Sequence, residues 1–351
     1  MGVGVQVALA GFVGLAIGLA FGLGGAAAML ARARRGTTPI DLPDERRLHT
    51  TPTPRGGGIG IPLAGLAVLP LGLVAAAGSF DRRLVLVGCL VWALPNGLIG
   101  LIDDHRPLRS RVKFALQAAF AIAACALGLR LDRIDLPPFA PVELGVAAWP
   151  LSVLWLLWNA NVFNFMDGMD GLAAASGILF FGAFGAWALA AGLGGTAVFA
   201  LALAGALVGF LRYNYPPAKI FMGDAGSLFV GGALGALSLG LGRPEGAGVP
   251  IVASTILMGT FVWDATYTIA RRALRGDPML PHRTHLYQRL AVAGWSHDRV
   301  RALYLGLAVA FALAALVLPS LPRAAAGLVI VTALAACAAL VVVTQRAERS
   351  R

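Results

Sequence analysis

The sequence contains few charged residues. Asp, Glu, Lys and Arg make up only 13% of the 351 residues, whereas 58% are hydrophobic and the mean hydropathy is +0.78. Long apolar runs recur from end to end, and runs of about 18 or more apolar residues indicate membrane helices. The composition therefore predicts an integral membrane protein, and the few ionisable groups become the main guide to its function.

Cysteine is also scarce. The chain has three, Cys89, Cys125 and Cys337, which lie inside predicted spans and are too scattered for a metal motif or a disulfide framework.

The sequence does not predict a secretory signal peptide. The first apolar run has no charged start, is too long, and is followed rather than preceded by the basic segment 32–35.

The apolar runs predict an all-α fold, a polytopic bundle of about eleven transmembrane helices. The predicted spans are 4–30, 58–77, 84–102, 113–129, 146–164, 172–192, 196–211, 225–241, 249–270, 301–319 and 324–343. Eleven spans leave no room for a separate soluble domain, so residues 1–351 are expected to form a single integral membrane domain.

The distribution of basic residues predicts the orientation of this bundle. With the N-terminus outside and the C-terminus in the cytoplasm, 22 of the 28 Lys and Arg residues fall in cytoplasmic segments and 6 fall outside. Such an excess follows the positive-inside rule. The net charge of +11 therefore requires no nucleic acid partner.

An acidic pair, Asp103–Asp104, ends one predicted span and is followed by Lys113 and three arginines. A solvated helix end is the simpler interpretation. Adjacent carboxylates repel each other unless a cation joins them, however, and carboxylates mixed with cations suit a metal–phosphate complex. The pair is therefore a candidate catalytic site.

Four polar residues, Asn161, Asn164, Asp167 and Asp170, recur at intervals of three in NVFNFMDGMD. On a helix end they are expected to form a stripe of oxygen ligands along one face. Helix termination is the alternative, because Asn, Asp and Gly are common at helix ends. Termination would not require four such side chains at a strict interval.

Asp224, in FMGDAGS, lies at the predicted start of a span. It is either an ordinary N-cap residue or part of a site that binds phosphate or a metal ion, because a helix N-terminus attracts anions.

Asp264 lies inside another predicted span, where an ionisable group is costly and usually functional or paired. It either reaches the cytoplasmic surface or pairs with a basic residue.

The last predicted cytoplasmic loop carries His282, Arg283 and His285 in PHRTH. The spacing of the two histidines resembles a zinc motif, but the usual third ligand is missing nearby. Arginine and histidine together are better suited to binding an anionic diphosphate or a sugar.

These motifs resemble those of the polyprenyl-phosphate N-acetylhexosamine-1-phosphate transferases, membrane enzymes related to the phospho-N-acetylmuramoyl-pentapeptide translocase. The matching segments follow the same order from 44 to 290. They are 44–60, the acidic pair with Lys113, 161–172, 221–228 and 264–290. The last loop lacks the translocase's run of consecutive histidines and looks more like the branch that initiates O-antigen or other surface glycans.

The resemblance implies transfer of N-acetylhexosamine 1-phosphate from a UDP-sugar to undecaprenyl phosphate, with release of UMP. It implies a bacterial inner membrane protein whose active site faces the cytoplasm among membrane lipids. The sugar and a homodimer are left open. Mg²⁺ is the expected cofactor, with Mn²⁺ as a substitute.

The resemblance also implies roles for individual residues. Mg²⁺ on the donor is expected to be held by Asp224 and Asn164, and Asp103 or Asp104 is expected to act on the acceptor phosphate or assist the metal. Substrate binding is expected from Lys113, Asp167, Asp170, His282, Arg283 and His285, and the lipid phosphate from Arg47, His49 and Arg55.

Two other classes of protein would account for parts of this sequence. A transporter or flippase with an acidic cation site would explain Asp264 and the glycine-rich helices, but such sites usually lie near the midplane and often in repeated halves. A phosphotransferase that uses CDP-alcohols would show a continuous aspartate–glycine–arginine spacing, which this sequence lacks.

Overall fold

The computed structural model describes residues 3–42, 51–76, 80–243, 247–277 and 282–350. Most of these residues are helical. The α-helices are α1 (Val3–Arg34), α2 (Gly60–Ala75), α3 (Phe80–Gly88), α4 (Leu94–His105), α5 (Ser110–Ala126), α6 (Ala148–Met166), α7 (Leu172–Ala190), α8 (Gly194–Asn214), α9 (Asp224–Leu241), α10 (Ile251–Leu257), α11 (Gly259–Arg275), α12 (Leu286–Val292), α13 (His297–Val317) and α14 (Arg323–Arg349).

The loops contain two short antiparallel strand pairs. The first joins β1 (Ile40–Asp41) to β2 (Thr53–Pro54), and the second joins β3 (Arg133–Ile134) to β4 (Val142–Glu143). A single π-helical turn, Cys89–Ala93, connects α3 to α4, so that the two form one continuous helical segment.

This architecture confirms a multi-pass, all-α membrane protein. Each predicted span coincides with helix, and nine helical segments in the described part of the chain are long and apolar enough to cross a membrane. The other two predicted spans fall short of that length. Helix α5 has 17 residues, and the span predicted at 249–270 is two helices interrupted at Met258. Eleven crossings and an outside N-terminus therefore stay predictions.

Helices α1 and α8 pack at unusually close range. A Cβ atom added at Gly18 would lie 1.9 Å from the carbonyl oxygen of Ala202, and one added at Gly22 would lie 2.0 Å from that of Ala206. Small residues allow such backbone contact between membrane helices, where no hydrophobic effect drives association. Packing against α8 therefore explains why glycine occupies positions 18 and 22 of α1.

Helix α9 forms the centre of the bundle, and every residue from Ala225 to its end at Leu241 is buried. Helices α2, α4 and α6 pack against it. A Cβ added at Gly100 in α4 would lie 2.2 Å from the carbonyl oxygen of Asp224. This close approach brings the last turn of α4, which carries the acidic pair, to the first turn of α9.

A row of amide side chains, two of them buried, connects α4, α5 and α6. Gln117 donates a 2.8 Å hydrogen bond to the side-chain oxygen of Asn96, and Asn161 donates a 3.1 Å hydrogen bond to Gln117. Polar side chains buried among membrane helices are stabilised by bonding across helices in this way. The row fixes the relative positions of three helices whose ends carry polar motifs.

Candidate active site

The acidic pair lies beside Asp224 at one end of the bundle, and a lysine joins them. The Nζ atom of Lys113 lies 2.7 Å from Oδ2 of Asp103 and 3.1 Å from Oδ2 of Asp224. The other oxygen of Asp103 accepts a 2.7 Å hydrogen bond from the backbone N–H of Leu108. All three charged side chains are partly buried, so their charges are only partly screened by water.

Asp104 makes a different set of contacts from its neighbour. Its two carboxylate oxygens accept hydrogen bonds from the backbone N–H groups of Asp224, at 3.0 Å, and Ala225, at 3.1 Å. These donors belong to the first turn of α9, where helical N–H groups have no partner within the helix. Asp104 therefore caps a helix from a distant element and holds Asp224 in place.

Gly223 makes this cap sterically feasible. Its backbone is in a positive-φ conformation (φ 79°), and an added Cβ would lie 2.8 Å from Oδ2 of Asp104. Glycine adopts positive φ without the strain that a side chain would add. The glycine before Asp224 therefore has a defined structural role.

Asn164 reaches the same cluster from the last turns of α6. Its side-chain nitrogen donates to Oδ1 of Asp224 at 3.0 Å and to the hydroxyl of Ser227 at 2.8 Å. Asp224 thus contacts Lys113 with one oxygen and Asn164 with the other. The two residues predicted as metal ligands, Asp224 and Asn164, are direct neighbours.

The predicted four-residue stripe on one helix face is wrong. Helix α6 ends at Met166, so Asp167 and Asp170 lie in the turn beyond it. Asn161 faces the amide row inside the bundle, whereas Asn164 faces Asp224. The four residues therefore lie in different surroundings. Asn161 packs inside the bundle, Asn164 contacts Asp224, and Asp167 and Asp170 lie in the turn after the helix.

The turn after α6 is tied to the loop that precedes Asp224. Asp170 accepts a 2.9 Å hydrogen bond from the backbone N–H of Ala218. The buried side chain of Asn214 accepts from the N–H of Gly171 and donates to the carbonyl of Ile220, each at 3.0 Å. These contacts explain why the aspartate–glycine turn keeps a fixed position beside the cluster.

Asp167 is the loop carboxylate with the most perturbed ionisation. Burial raises the pKa of this carboxyl well above its usual range, and the negative charge of Asp224 raises it further. A cation close to this carboxyl would favour its charged form. Asp167 therefore marks a place where positive charge is favoured.

The last loop is anchored by the buried carboxylate of Asp264, which is 0% exposed. Asp264 accepts hydrogen bonds from the backbone N–H groups of Leu286, at 2.8 Å, and Tyr287, at 3.1 Å. It also contacts Nδ1 of His285 at 3.1 Å and accepts from the hydroxyl of Tyr304 at 2.5 Å. Of the two predictions for Asp264, contact with a basic residue is observed through His285, together with backbone N–H groups and a tyrosine hydroxyl.

The anchored loop reaches the aspartate–glycine turn. The hydroxyl of Tyr287 donates to the carbonyl of Phe165 at 3.3 Å, and a Cβ added at Gly168 would lie 2.2 Å from that hydroxyl. Gly168 therefore leaves room for Tyr287, and the last loop closes one side of the site.

A cavity of about 430 Å³ lies beside the cluster. Its lining includes the predicted site residues Asn164, Asp167 and Asp170. The volume is within the usual range for small-molecule sites. Several other polar residues line the cavity although the sequence did not predict a role for them. They are Asp41, Thr51, Thr53, Asn214, Tyr287, Gln288 and His297.

His282, Arg283 and His285 do not line this cavity. The rings of His282 and His285 lie 5.1 Å apart, and His285 is held by Asp264, whereas Arg283 is exposed. Burial lowers the pKa of His282 to about 4, with a further contribution from His285. His282 is therefore neutral near pH 7, and any contact it makes with a diphosphate is a hydrogen bond.

The described part of the first loop contacts the segment before Asp224 through its backbone. The N–H groups of Gly57 and Gly58 donate to the carbonyls of Phe221 and Met222 at 2.9 and 3.0 Å. Arg55 lies 3.8 Å from Asp41, at the edge of the site. Arg47 and His49, which were predicted to hold the lipid phosphate, lie outside the described residues.

The donor set near Asp224 fits a hard divalent cation. Carboxylate and amide oxygens are the ligands that Mg²⁺ prefers, and Mg²⁺ usually takes one or two carboxylates together with substrate phosphates. The ammonium of Lys113 between two carboxylates shows that positive charge is stable here. No group of three or more His, Cys, Asp or Glu side chains suited to a metal occurs among the described residues.

Comparison with known proteins gives a consistent family assignment. Residues 86–242 match the sequence profile of glycosyl transferase family 4. The chain is 35% identical over 285 residues to a probable undecaprenyl-phosphate N-acetylglucosaminyl 1-phosphate transferase of Bacillus subtilis (strain 168), covering 80% of this chain and 77% of the relative.

Two further relatives have related names. A phospho-N-acetylmuramoyl-pentapeptide-transferase of Shouchella clausii (strain KSM-K16) is 34% identical over 74% of this chain and 82% of its own length. A decaprenyl-phosphate N-acetylglucosaminephosphotransferase of Mycolicibacterium smegmatis is 33% identical over 77% of this chain and 73% of its own length.

Proposed function

This chain belongs to glycosyl transferase family 4, and from that premise we propose that it transfers a sugar 1-phosphate from a UDP-N-acetylhexosamine to undecaprenyl phosphate. The products are undecaprenyl-diphospho-sugar and UMP. The names of its relatives, which describe phosphosugar transfer to polyprenyl phosphates or closely related reactions, support this proposal. The donor is water-soluble and the acceptor is a lipid, so the reaction belongs at a membrane surface.

One observation carries the proposal. Asp103, Lys113, Asp224 and Asn164 form a continuous chain of contacts at one end of the bundle, and this chain borders the 430 Å³ cavity. A mixture of carboxylates and an ammonium suits a reaction between two phosphates, because each anion must be neutralised as they approach.

The reaction requires no covalent intermediate with the protein. A phosphate oxygen of the lipid attacks the phosphorus that carries the sugar. The bond between that phosphorus and the oxygen bridging to the uridine phosphate breaks, and UMP leaves with the bonding electron pair. An acceptor that is already a dianion has no proton to lose, so the protein's main task is to orient both phosphates and stabilise charge.

Individual residues divide this task. Lys113 neutralises phosphate charge between the two substrates, because its ammonium already lies between Asp103 and Asp224. Asp104 fixes the start of α9 and thereby the position of Asp224. Asp167 and Asp170 border the cavity on the side of the nucleotide sugar, and Tyr287 closes it.

Mg²⁺ is the cofactor that we propose, held by Asp224 and Asn164, with Mn²⁺ as a substitute. When bound, it would stabilise the charge that develops on the donor diphosphate. Asn164 currently presents its nitrogen to Asp224, so binding through its oxygen requires a rotation of the amide.

The cellular role that we propose is initiation of a surface glycan such as O-antigen. Its support is the sequence of the last loop, where HRTHLYQRL lacks consecutive histidines. The described part of this loop is anchored by Asp264, and its residues Tyr287 and Gln288 line the cavity. The cytoplasmic face of the bacterial inner membrane is the proposed location of the site.

Purified protein in detergent tests the activity directly. We expect UDP-N-acetylglucosamine labelled in the sugar and undecaprenyl phosphate to give a labelled lipid diphosphate and one equivalent of UMP. A panel of UDP-sugars then ranks donors by kcat/KM. A transporter or flippase would instead move substrate across liposomes without forming a labelled lipid, and that result would reject the proposed reaction.

The metal requirement is tested in the same assay. Excess chelator should abolish product formation, and added Mg²⁺ or Mn²⁺ should restore it. Asp224→Ala should lower kcat by about 10²-fold or more, as loss of a single charge-stabilising group does elsewhere. Full turnover in excess chelator would show that no divalent cation takes part.

A further inference from the structure

An ion pair joins the last turn of α14 to the short helix α12. The Nε and Nη2 atoms of Arg289 donate hydrogen bonds to the two carboxylate oxygens of Glu348, each at 2.7 Å. Such a two-point contact fixes direction as well as distance, because the guanidinium and the carboxylate are both planar. The side chain of Arg289 is 7% exposed, and that of Glu348 is 40% exposed. Two residues that are 59 positions apart in the chain are thereby held in one orientation.

Helix α12 carries both this ion pair and one wall of the cavity assigned to the nucleotide sugar, the donor cavity. Tyr287 and Gln288 line that cavity, whereas Arg289, the next residue, does not. Successive residues on a helix point about 100° apart, so one face of α12 forms the wall and another faces α14. Helices α12 and α14 are in contact. A shift of α12 relative to α14 would therefore move the wall of the donor cavity.

Contacts at its first turn and at its middle hold α12 in place. Asp264 accepts hydrogen bonds from the N–H groups of Leu286 and Tyr287, which begin the helix. The ion pair with Glu348 acts from the middle of the helix, at Arg289. With seven residues, α12 is only about two turns long, and a helix this short is marginally stable in water on its own. Its orientation beside the cavity therefore depends on these contacts with other elements.

Glu348 also balances positive charge where α11, α12 and α14 meet. Arg271 and Arg275, near the end of α11, interact favourably with Glu348. Arg271 interacts unfavourably with Arg275 and with Arg289. A carboxylate placed among three cations reduces their mutual repulsion. Water screens part of this interaction because Glu348 is partly exposed, so the two-point geometry of its pair with Arg289 is the more important contribution.

We propose that Glu348 and Arg289 are positioning residues for donor binding. Through this pair, the last turn of α14 holds α12 so that Tyr287 and Gln288 form a fixed wall against the nucleotide sugar. Neither charged residue lines the cavity, so both act through α12. This role rests on the proposed function, which assigns the cavity to the donor. The acidic cluster around Asp224 is built from α4, α5, α6 and α9, so a disturbance of α12 should affect donor binding more than the transfer step.

Transfer kinetics of a matched pair of variants on α14 test this role. Glu348→Gln places an amide NH₂ group against the guanidinium and removes the two-point contact. It should raise the KM for the UDP-sugar about three- to tenfold, the size of a lost pairwise coupling, while kcat and the KM for undecaprenyl phosphate change less than about twofold. Arg346→Gln changes the charge of an exposed residue two positions away on the same helix and should leave all three parameters unchanged. An equal donor KM in the two variants would overturn the proposal.

A conservative variant of Arg289 tests whether the two residues act as one unit. Arg289→Lys keeps the positive charge but has no planar fork, so it should raise the donor KM about as much as Glu348→Gln does. Combining the two substitutions should give no further rise, because each one alone already removes the contact. Effects that multiply in the double variant would overturn the proposal. A lower Tm with an unchanged donor KM would show a purely structural contact and would overturn it as well.

Equilibrium binding of UDP-N-acetylglucosamine gives a readout that does not depend on turnover. A chain that ends at Ala347 lacks Glu348, whereas a chain that ends at Arg349 retains it. The first should bind the nucleotide sugar about three- to tenfold more weakly than the second, which should match the full chain. Equal Kd values, or no measurable binding by either, would overturn the positioning role. An unmodified protein that binds the nucleotide sugar but forms no labelled lipid would reject the proposed function, and the two Kd values would still decide the positioning role.

Discussion

At the scale of single residues, neighbouring carboxylates in this protein have different roles. Asp103 contacts the ammonium of Lys113, whereas Asp104 uses both oxygens to cap α9. The sequence presented them as an equivalent pair. Their different partners arise because successive residues on a helix point about 100° apart, so only one of them faces the start of α9.

This difference predicts unequal losses of thermal stability for the Asp103→Asn and Asp104→Asn variants. Asp104→Asn places an N–H donor against a backbone N–H donor, which should cost about 1–3 kcal/mol and lower the apparent Tm. Asp103→Asn keeps an acceptor for Leu108 and should lower Tm less while reducing kcat, because Lys113 loses a charged partner. Thermal denaturation of both variants in one detergent decides between them. Equal losses of Tm would contradict the assignment of Asp104 as the cap.

Asp167 provides a prediction about pH. Burial raises the pKa of its carboxyl, so the folded protein binds this proton more tightly than the unfolded chain does. Stability from this group is therefore present at pH values below its usual pKa and is lost as pH rises toward the raised pKa. Asp167→Asn cannot ionise and should escape that loss.

We therefore expect Asp167→Asn to raise the apparent Tm of the substrate-free protein by about 1–3 °C at pH 8. The gain should shrink as the pH falls from 8, because the unmodified carboxyl takes up its proton at a higher pH than it would in the unfolded chain. Activity should fall, since the charge is lost from the donor cavity. Thermal scans at a series of pH values test this, and a gain that is constant or grows at low pH would contradict it.

At the scale of helices, close packing determines where the polar groups lie. Gly100 lets α4 approach the first turn of α9, and Gly168 lets the last loop approach the turn after α6. Each contact brings a motif from one part of the chain against a motif from another. The cluster is therefore a product of packing between elements, and no single segment contains it.

This explains what could be predicted from the sequence. The apolar runs predicted the helical bundle, and the alternation of loops predicted that the polar motifs share one end. The helix caps formed by Asp104 and Asp264 could not be predicted. Each carboxylate binds the N–H groups at the start of another helix, about 20 or more residues away in the sequence. The break at Met258 was also not predicted, since apolar residues continue through it.

Gly100→Ala tests the role of close packing in the site. The new methyl group would lie 2.2 Å from a backbone oxygen, so α4 and α9 must move apart. A displacement of about 1 Å between catalytic groups costs about 10²-fold in rate, and we expect a loss of that order in kcat. Gly182→Ala in α7 is the control, because no atom lies within 4 Å of the added methyl group. Comparable kcat values for the two variants would show that the α4–α9 contact does not position the site.

At the scale of the whole molecule, the structure separates two ends of different character. The acidic cluster, the aspartate–glycine turn and the last loop meet at one end, where α4 and α6 finish and α9 begins. The turn between α7 and α8 lies at the other end, because α7 begins beside the cluster and runs away from it. The distribution of Lys and Arg predicts that the end with the cluster faces the cytoplasm.

Cysteine labelling in intact cells tests this orientation. Gly36→Cys and Gly276→Cys lie at the end with the cluster and should be protected from an impermeant thiol reagent, whereas Gly192→Cys at the other end should react. All three glycines have φ near 70° and open space around them, so the substitutions carry similar strain. The native cysteines are buried, which keeps background labelling low. After the cells are permeabilised, Gly36→Cys and Gly276→Cys should react as well. Labelling of Gly36→Cys before permeabilisation, with Gly192→Cys protected, would place the cluster outside and exclude a cytoplasmic nucleotide sugar as the donor.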